Sequence, residues 1–380
     1  MATDKTKEHF LALTGVRALA AYMVYLHHSS SFVKNTFGNN IYDLARELHI
    51  GVTLFFVLSG FLIAYRYLTI ENIPFKKYMV NRFSRIYPMY FIVTSITFLV
   101  YNFVHKASGN YSFGVYILNI TFIRGFFKDF IFSGISQGWT LTIEETFYLF
   151  APLIFTWIRR YRIGIFFLPV LFLFIGLLLV LCFHTTSFFG FFASLPFMIN
   201  GTFFGRCIEF FVGIGLAWLL LNKIQWRIFK FKSFTYLGLL MIALGVYSLI
   251  FIKHRYNLET GILHPYGMLI NTTLLPLFGV ATFYYGLISE KTICSRILSS
   301  PLFILLGKSS YIFYLIHVGL LPMLLNKVIH SQILIFICLN IIAIIAYKFL
   351  EDPANTYLRR RLNKSTDKKH RVLLPFFTYD

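Results

Sequence analysis

The chain has 380 residues, of which 57% are hydrophobic and only 13% are charged, and it contains 46 Phe and 24 Tyr. Soluble domains carry about 25% charged residues, so this composition and a mean hydropathy of +0.69 exclude a water-soluble globule of this length. The formal net charge of +20 would suit nucleic acid, but the basic residues gather in loops between apolar runs. We interpret the charge as a membrane-topology signal and predict no nucleic-acid partner.

Apolar runs long enough to cross a bilayer core of about 30 Å lie at 10–28, 49–68, 86–105, 139–158, 163–183, 203–221, 234–252, 266–287, 303–325 and 331–350. A shorter run near 111–123 is interpreted as a re-entrant or interfacial segment. Most Lys and Arg fall on the side of the amino terminus, which the positive-inside rule places in the cytoplasm. The prediction is an all-α, polytopic transmembrane helix bundle of about ten helices with both termini cytoplasmic.

The domain organisation is predicted to be simple. The sequence contains no internal repeat, so residues 1–352 are expected to form one transmembrane domain, followed by a basic cytoplasmic tail at 353–380. No cleavable leader is expected, because Arg17 interrupts the first apolar run and no small-residue cleavage site follows it. None of the four Cys stands at metal-ligand or redox spacing, and we predict neither a disulfide framework nor a metal site.

The first apolar run carries Arg17 near its start and His27 and His28 at its end. At 100° and 1.5 Å per residue, Arg17 and His28 lie on one helical face about 16 Å apart, whereas His27 points elsewhere. An Arg inside a hydrophobic span costs at least about 2.5 kcal/mol, so compensation elsewhere in the fold is expected. From this run alone, a snorkelling Arg and a His at the headgroups are an open alternative.

The loop after the second run ends with Arg82 and Arg85, which stand three residues apart. On a helical turn such a pair presents two forked donors to one side, a geometry that suits phosphate. The positive-inside rule alone would also place basic residues in this loop. Pro88 is expected to kink or to start the helix that follows.

Glu144 and Glu145 are carboxylates inside the fourth run, and neither has a basic residue three or four positions away. Each must find a partner on another helix or face water. In the predicted topology His28 and Glu144 both lie toward the outer leaflet, so the carboxylate could orient the imidazole and raise its basicity. A structural polar pair that holds two helices together is the alternative.

Other polar residues in the runs have two interpretations each. Ser59 and Gly60 would let a neighbouring helix approach closely, and packing is favoured over chemistry there. Arg206 and Glu209 stand three apart on one helix and are predicted to be a structural polar pair.

Candidates for the lining of a substrate cavity are Ser59, Trp139, Tyr311, Tyr314 and His317. The last three follow a three-residue spacing on one slowly drifting helical face. A single membrane His could equally be satisfied by one serine or one carbonyl, so a polar cavity and a structural role both stay open.

Together these motifs resemble the acyltransferase-3 family of integral membrane O-acyltransferases. The matching segments are R-x10-H at 17–28, FFVLSGF at 55–61, R-x-x-R at 82–85, WTLTIEETFY at 139–148, R-x-x-E-F-x-x-G at 206–213, S-Y-x-x-Y-L-x-H at 310–317 and E-x-P at 351–353. Thr140 and Thr142 stand where the family pattern often has Ser.

The resemblance implies an acyltransferase (EC 2.3.1.-) that takes an acyl group, most often acetyl, from cytoplasmic acyl-CoA. The acceptor it implies is a hydroxyl of a surface or lipid-linked glycan, such as lipopolysaccharide O-antigen, exopolysaccharide or peptidoglycan. No permanently bound cofactor is expected. Some relatives carry a fused extracytoplasmic hydrolase-like domain, and this chain is expected to be too short to hold one. Either the membrane domain itself reaches the acceptor, or a separate glycan-assembly or extracytoplasmic transferase partner does. The family's commonest setting implies the bacterial inner membrane.

The residues and the resemblance together predict a division of roles. Arg82 and Arg85 bind CoA phosphates, and Arg17 steadies the thioester arm inside the bundle. His28, oriented by Glu144, removes the proton of the acceptor hydroxyl or relays the acyl group. Direct transfer and a covalent relay both stay open.

The rival hypothesis is a transporter or flippase. Its polar path would use His28, Glu144, Arg206 and His317. Its weakness is that the sequence shows no repeat and no paired broken helices. CoA release on incubation with acetyl-CoA and acceptor would separate the two classes.

Overall fold

The computed structural model describes residues 10–105, 112–186, 188–223 and 233–373. In this part of the chain the secondary structure is helical, apart from one isolated antiparallel bridge between Phe127 and Phe191. The α-helices are, in chain order, α1 (Leu11–His28), α2 (Ser30–Phe37), α3 (Asn39–Glu47), α4 (Gly51–Tyr67), α5 (Phe75–His105), α6 (Phe113–Ile120), α7 (Trp139–Arg160), α8 (Gly164–Phe183), α9 (Leu195–Gly201), α10 (Phe203–Leu221), α11 (Phe234–Arg255), α12 (Pro265–Leu269), α13 (Ala281–Ser289), α14 (Ile293–Leu298), α15 (Pro301–Ile316), α16 (Leu320–Asn326), α17 (Gln332–Ala346) and α18 (Asp352–Leu373). Two π-helical segments, Ile270–Val280 and Tyr347–Glu351, and several 3₁₀ turns lie between them.

The described helices confirm an all-α, multi-pass membrane bundle. Eight helical stretches in the described ranges are long and apolar enough to cross a membrane. Helices α15 and α16, which are bent by 84° at the break between them, add a ninth if the pair forms one span. Helix α1 matches the first predicted run but is not among these stretches, because Arg17 and its two terminal histidines lower its hydropathy. The cytoplasmic placement of the termini stays a prediction.

Helix α5 differs from its prediction at the amino-terminal end. It begins at Phe75 rather than near residue 86, and Pro88 lies inside it. Arg82 and Arg85 are therefore helical residues and not the end of a loop. The apolar criterion missed this stretch because a 31-residue helix is about 46 Å long and exceeds a core of about 30 Å. The turns that extend beyond the core can be polar.

The short run near 111–123 contains α6, which is too short to span a bilayer. The Asn119 side chain at its carboxyl end is buried and donates to the Val115 carbonyl and to Ser133 Oγ, both at 2.9 Å. Residue 111 lies outside the described residues. A re-entrant or interfacial position for this segment stays a prediction.

The chain divides into two compact units, each of which is described by itself. The first unit contains Met1–Leu62 and Ile208–Tyr311. Within it, α11 and α13 approach closely, because Gly238 meets the backbone of Phe283 and Gly286 meets the backbone of Thr235. The Glu290 carboxylate after α13 accepts hydrogen bonds from the backbone N–H groups of Phe234 and Thr235 at 2.7 and 3.0 Å. It thereby caps the positive amino-terminal end of α11.

The second unit contains Ile63–Cys207 and Ile312–Asp380. Helix α18 begins at Asp352, at the predicted start of the basic tail, and packs against α5. Ser84 Oγ donates to Asn355 Oδ1 at 3.1 Å, and Arg359 Nε donates to Asn81 Oδ1 at 3.0 Å. Residues 374–380 of the predicted tail lie outside the described residues.

Candidate active site

Helix α1 of the first unit carries the predicted Arg17 and His28. Two glycines allow close packing near the start of α1. Gly15 of α1 meets the backbone of Leu298, and Gly307 of α15 meets the backbone of Thr14. Arg17 is half-buried and lies within electrostatic range of the buried Tyr284. The compensation expected for an Arg inside the helix stays a prediction.

His28 is the last residue of α1 and is exposed. The adjacent His27 is half-buried, and its Nδ1 lies 2.6 Å from the Arg46 carbonyl oxygen. The two imidazole rings are in edge-to-face contact with their centroids 5.0 Å apart. His28 belongs to the first unit and Glu144 to the second, so the predicted pairing of the two stays a prediction.

In the second unit, the structure joins Arg82 to the carboxylates of α7. Arg82 is buried, and its guanidinium carbon lies 5.8 Å from the centroid of the Tyr148 ring. The Tyr148 hydroxyl donates to the Glu144 carboxylate. Oε1 of the neighbouring Glu145 is buried and has no hydrogen-bond partner among the described residues. The basic pair and the carboxylates belong to separate sequence motifs, and residue spacing did not predict this contact.

One face of α5 carries basic and polar side chains. Tyr78, Arg82 and Arg85 follow a spacing of four and three residues, which puts them on the same side of the helix. The Tyr78 hydroxyl and Arg82 Nε are buried and have no hydrogen-bond partner within the described ranges. Arg66 at the end of α4 lies within electrostatic range of Arg82, Arg85 and Arg359. We call Arg66, Arg82, Arg85 and Arg359 the arginine cluster.

The start of α7 is fastened to the end of α15 by a residue that the sequence analysis did not select. Gln137 is buried, and its side-chain amide donates to the carbonyls of Tyr314 and Leu315 at 2.9 and 2.8 Å. The Tyr314 hydroxyl lies 3.1 Å from Thr140 Oγ1. His317 is also buried, and its Nδ1 lies 2.8 Å from the Tyr314 carbonyl oxygen. The sequence left open whether His317 lines a cavity or is satisfied by one carbonyl, and the structure provides a carbonyl partner. A cavity-lining role for Trp139, Tyr311, Tyr314 and His317 stays a prediction.

We expect Gln137→Leu to lower the free energy of unfolding by about 1–3 kcal/mol, because a buried carbonyl acceptor loses its donor. The measurement is thermal unfolding of the detergent-solubilised protein. Gln332→Leu is the matched control, since Gln332 donates to Asn326 in an exposed hydrogen bond and its loss should change stability little. Equal effects of the two substitutions would contradict the structural role of Gln137.

The remaining predicted residues have mixed outcomes. Gly60 meets the backbone of Phe210 on α10, which confirms the close helix approach expected around it; a cavity role for Ser59 stays a prediction. Arg206 and Glu209 are both buried on α10, and their pairing stays a prediction. Arg124, in the segment between α6 and α7, is fully buried and donates to the Ile135 carbonyl. Only its position beside an apolar run could have indicated this.

One known sequence family matches most of the chain. The sequence model of the acyltransferase-3 family, described as an acyltransferase domain, matches residues 10–347. The chain therefore belongs to the acyltransferase-3 family, and the resemblance predicted from the motifs is confirmed. Its matched region is an acyltransferase domain, the class of enzyme numbered EC 2.3.1.-.

Curated relatives point to O-acetyl transfer. A Staphylococcus aureus (strain COL) protein named "Putative O-acetyltransferase" is 26% identical over 92% of this chain and 58% of its own length. "Peptidoglycan O-acetyltransferase OatA" of Listeria monocytogenes serovar 1/2a is 28% identical over 40% of this chain and 25% of its own length. The chain thus spans somewhat more than half the length of the S. aureus relative. No solved structure matches the chain.

Proposed function

We propose that this protein is an integral membrane O-acetyltransferase that uses acyl-CoA, with acetyl-CoA as the main donor, to acetylate a hydroxyl of a surface or lipid-linked glycan. The family and the names of its relatives support O-acetyl transfer. The donor, the glycan acceptor and the bacterial inner membrane as its location are parts of this proposal.

The observation that carries the proposed donor is the arginine cluster. The Arg66 guanidinium lies within electrostatic range of the other three guanidinium groups and is repelled by them, and a polyanion such as the phosphates of CoA would relieve that repulsion. Two carboxylates, Glu351 and Asp352, lie near Tyr347, as Arg85 does. They offset only part of the positive charge of the arginine cluster. The buried Tyr78 hydroxyl and Arg82 Nε supply donors for the part of the ligand that enters the protein.

The proposed reaction needs one base and one acid. The acceptor oxygen attacks the thioester carbonyl carbon while His28 takes the hydroxyl proton, and the carbon–sulfur bond breaks. The proton then passes from His28 to the departing CoA thiolate, so that the products are the acetyl ester and CoA–SH. In the relay alternative, a ring nitrogen of neutral His28 attacks the thioester carbon, the carbon–sulfur bond breaks, and the proton of the other ring nitrogen passes to the CoA thiolate. The acceptor hydroxyl then attacks the acetylimidazole, the carbon–nitrogen bond breaks, and the hydroxyl proton returns to the imidazole.

The acceptor is proposed from the relatives alone. The OatA name supports peptidoglycan as one candidate glycan, and lipopolysaccharide or exopolysaccharide are the others. A separate glycan-assembly or extracytoplasmic transferase is the proposed partner for delivery of the acetyl group to its final acceptor.

The experiment that tests the function measures two products. Membranes of the native host that contain the protein are incubated with acetyl-CoA, CoA release is followed, and the O-acetyl content of surface glycans is determined by NMR. An acetyltransferase releases CoA and adds acetyl signals, and both are lost in a deletion strain. Equal CoA release with and without the protein would support the transporter or flippase instead.

We expect Arg82→Ala combined with Arg85→Ala to raise the KM for acetyl-CoA by about 10–100-fold, because two charge-assisted hydrogen bonds to phosphate are lost. Initial rates of CoA release against acetyl-CoA concentration measure the change. Arg361→Ala is the control, since Arg361 is exposed on α18 and contacts Tyr357 within its own helix. An unchanged KM in the double variant would show that the arginine cluster does not bind the donor.

A further inference from the structure

A third histidine, His49, and the buried carboxylate of Glu47 lie next to the His27–His28 pair in the first unit. The ring of His49 is in edge-to-face contact with the ring of His27, with centroids 5.6 Å apart. His49 Nε2 lies 3.2 Å from Glu47 Oε2. His28, His27, His49 and Glu47 thus form a continuous chain of contacts, which we call the histidine chain.

The hydrogen bonds define which groups in the histidine chain carry protons. The Arg46 carbonyl oxygen can only accept, so His27 donates its Nδ1–H to it, and the neutral ring keeps a lone pair on Nε2. Glu47 is fully buried. One of its oxygens accepts from the Gly261 backbone N–H at 2.9 Å, and the other faces His49. The carboxylate is held in a fixed position by both contacts.

Anchoring of α3 alone does not account for Glu47. Three other contacts already tie α3 to the region around the end of α11. Asp43 contacts Lys253 at 2.6 Å and His254 at 2.7 Å, and Arg46 contacts Glu259 at 3.3 Å. Each of the three contacts includes at least one partly exposed side chain. The Glu47 carboxylate is fully buried, and its burial is costly unless a positive charge or several donors compensate for it.

A metal ion does not account for the cluster either. Within the described ranges, no group of three or more His, Cys, Asp or Glu side chains is arranged to hold a metal ion. The side chain that the buried carboxylate contacts is the imidazole of His49, at 3.2 Å, which can carry a positive charge.

We propose that Glu47 and His49 are positioning residues for His28, which act through His27 and stabilise the positive charge that His28 gains during acetyl transfer. This inference rests on the proposed function. His28 takes the proton of the acceptor hydroxyl and returns it to the CoA thiolate, while Glu47 stays ionised and the histidine chain holds the rings in place. Glu47 itself accepts no proton, as in catalytic triads where the carboxylate orients and stabilises the histidine.

The test uses Glu47→Gln, because the glutamine oxygen can still accept from the Gly261 N–H while the negative charge is removed. We expect its kcat for CoA release to fall by about 10–100-fold, less than the loss of a carboxylate in direct contact with the base. The KM for acetyl-CoA is expected to change less than about twofold. Acetyl-CoA is the varied substrate, and native host membranes supply the acceptor. A purely structural role would lower the amount of folded protein and leave kcat per molecule unchanged.

His49→Gln is the second variant, because it retains a donor for Glu47 but removes the imidazole. Glu259→Gln is the matched control: it removes an acidic partner of α3 that is exposed and lies outside the histidine chain, and its kcat should equal that of the wild type. If either Glu47→Gln or His49→Gln retains the wild-type kcat while His28→Ala is inactive, the positioning role is wrong and the proposed function still stands. Absence of CoA release in the wild type would overturn the proposed function, and the inference with it.

Discussion

Replacement of His28 by alanine is expected to slow acetyl transfer from acetyl-CoA by about 10²–10⁴-fold, the contribution typical of a general base. His28 is the exposed last residue of α1, so its removal leaves the buried face of that helix intact. The variant should therefore reach the membrane in normal amounts. CoA release and the O-acetyl content of surface glycans, compared at equal membrane abundance, measure the effect.

The matched control is His184→Ala, an exposed histidine after the end of α8, which should retain wild-type activity. If the His28 variant transfers acetyl groups at the wild-type rate, the base is another residue, and His27 becomes the first candidate. Pulse labelling with radioactive acetyl-CoA in the absence of acceptor separates the two routes. Label on the wild-type protein that is lost in His28→Ala indicates the covalent relay, and absence of label on both indicates direct transfer.

The parts of the fold that were predicted correctly depend on local chemistry. A run of apolar residues long enough to cross the membrane must satisfy its own backbone as a helix, so α1 and the later spans followed from the sequence. Gly60 on α4 was also identified correctly, because a small residue in a span permits close packing. The start of α5 was missed, because helix formation continues beyond the apolar core and Pro88 is accommodated inside the helix.

The contacts of the candidate site could be predicted only in part. The motifs identified Arg82 and Glu144, but the chain from Arg82 through Tyr148 to Glu144 joins helices α5 and α7, and spacing within one helix cannot reveal it. Glu47 and His49 were passed over for a similar reason. They stand at the end of α3 and in the turn that precedes α4, and their importance depends on His27 and Gly261, which are distant in sequence.

Gly60→Ala and Gly213→Ala are each expected to lower the free energy of unfolding by about 1–3 kcal/mol, the cost of overpacking a close contact. Both glycines lie where α4 crosses α10 in the first unit. A Cβ at Gly60 would meet the backbone of Phe210, and a Cβ at Gly213 would meet the backbone of Val57 and Phe61. Backbone atoms cannot rotate away as the end of a side chain can, so the two helices must separate. Thermal unfolding in detergent measures the loss.

Gly215→Ala is the control, two residues after Gly213 on α10, and it is expected to raise the free energy of unfolding. No atom lies within 4 Å of the position that its Cβ would take, so the substitution meets no clash and gains up to about 1 kcal/mol from the higher helix propensity of alanine. Helix propensity alone would make all three substitutions stabilising. Loss of stability at Gly60 and Gly213 together with a gain at Gly215 therefore isolates the close approach of α4 and α10 as the cause. Stabilisation by all three substitutions would show that the two helices do not pack at these glycines.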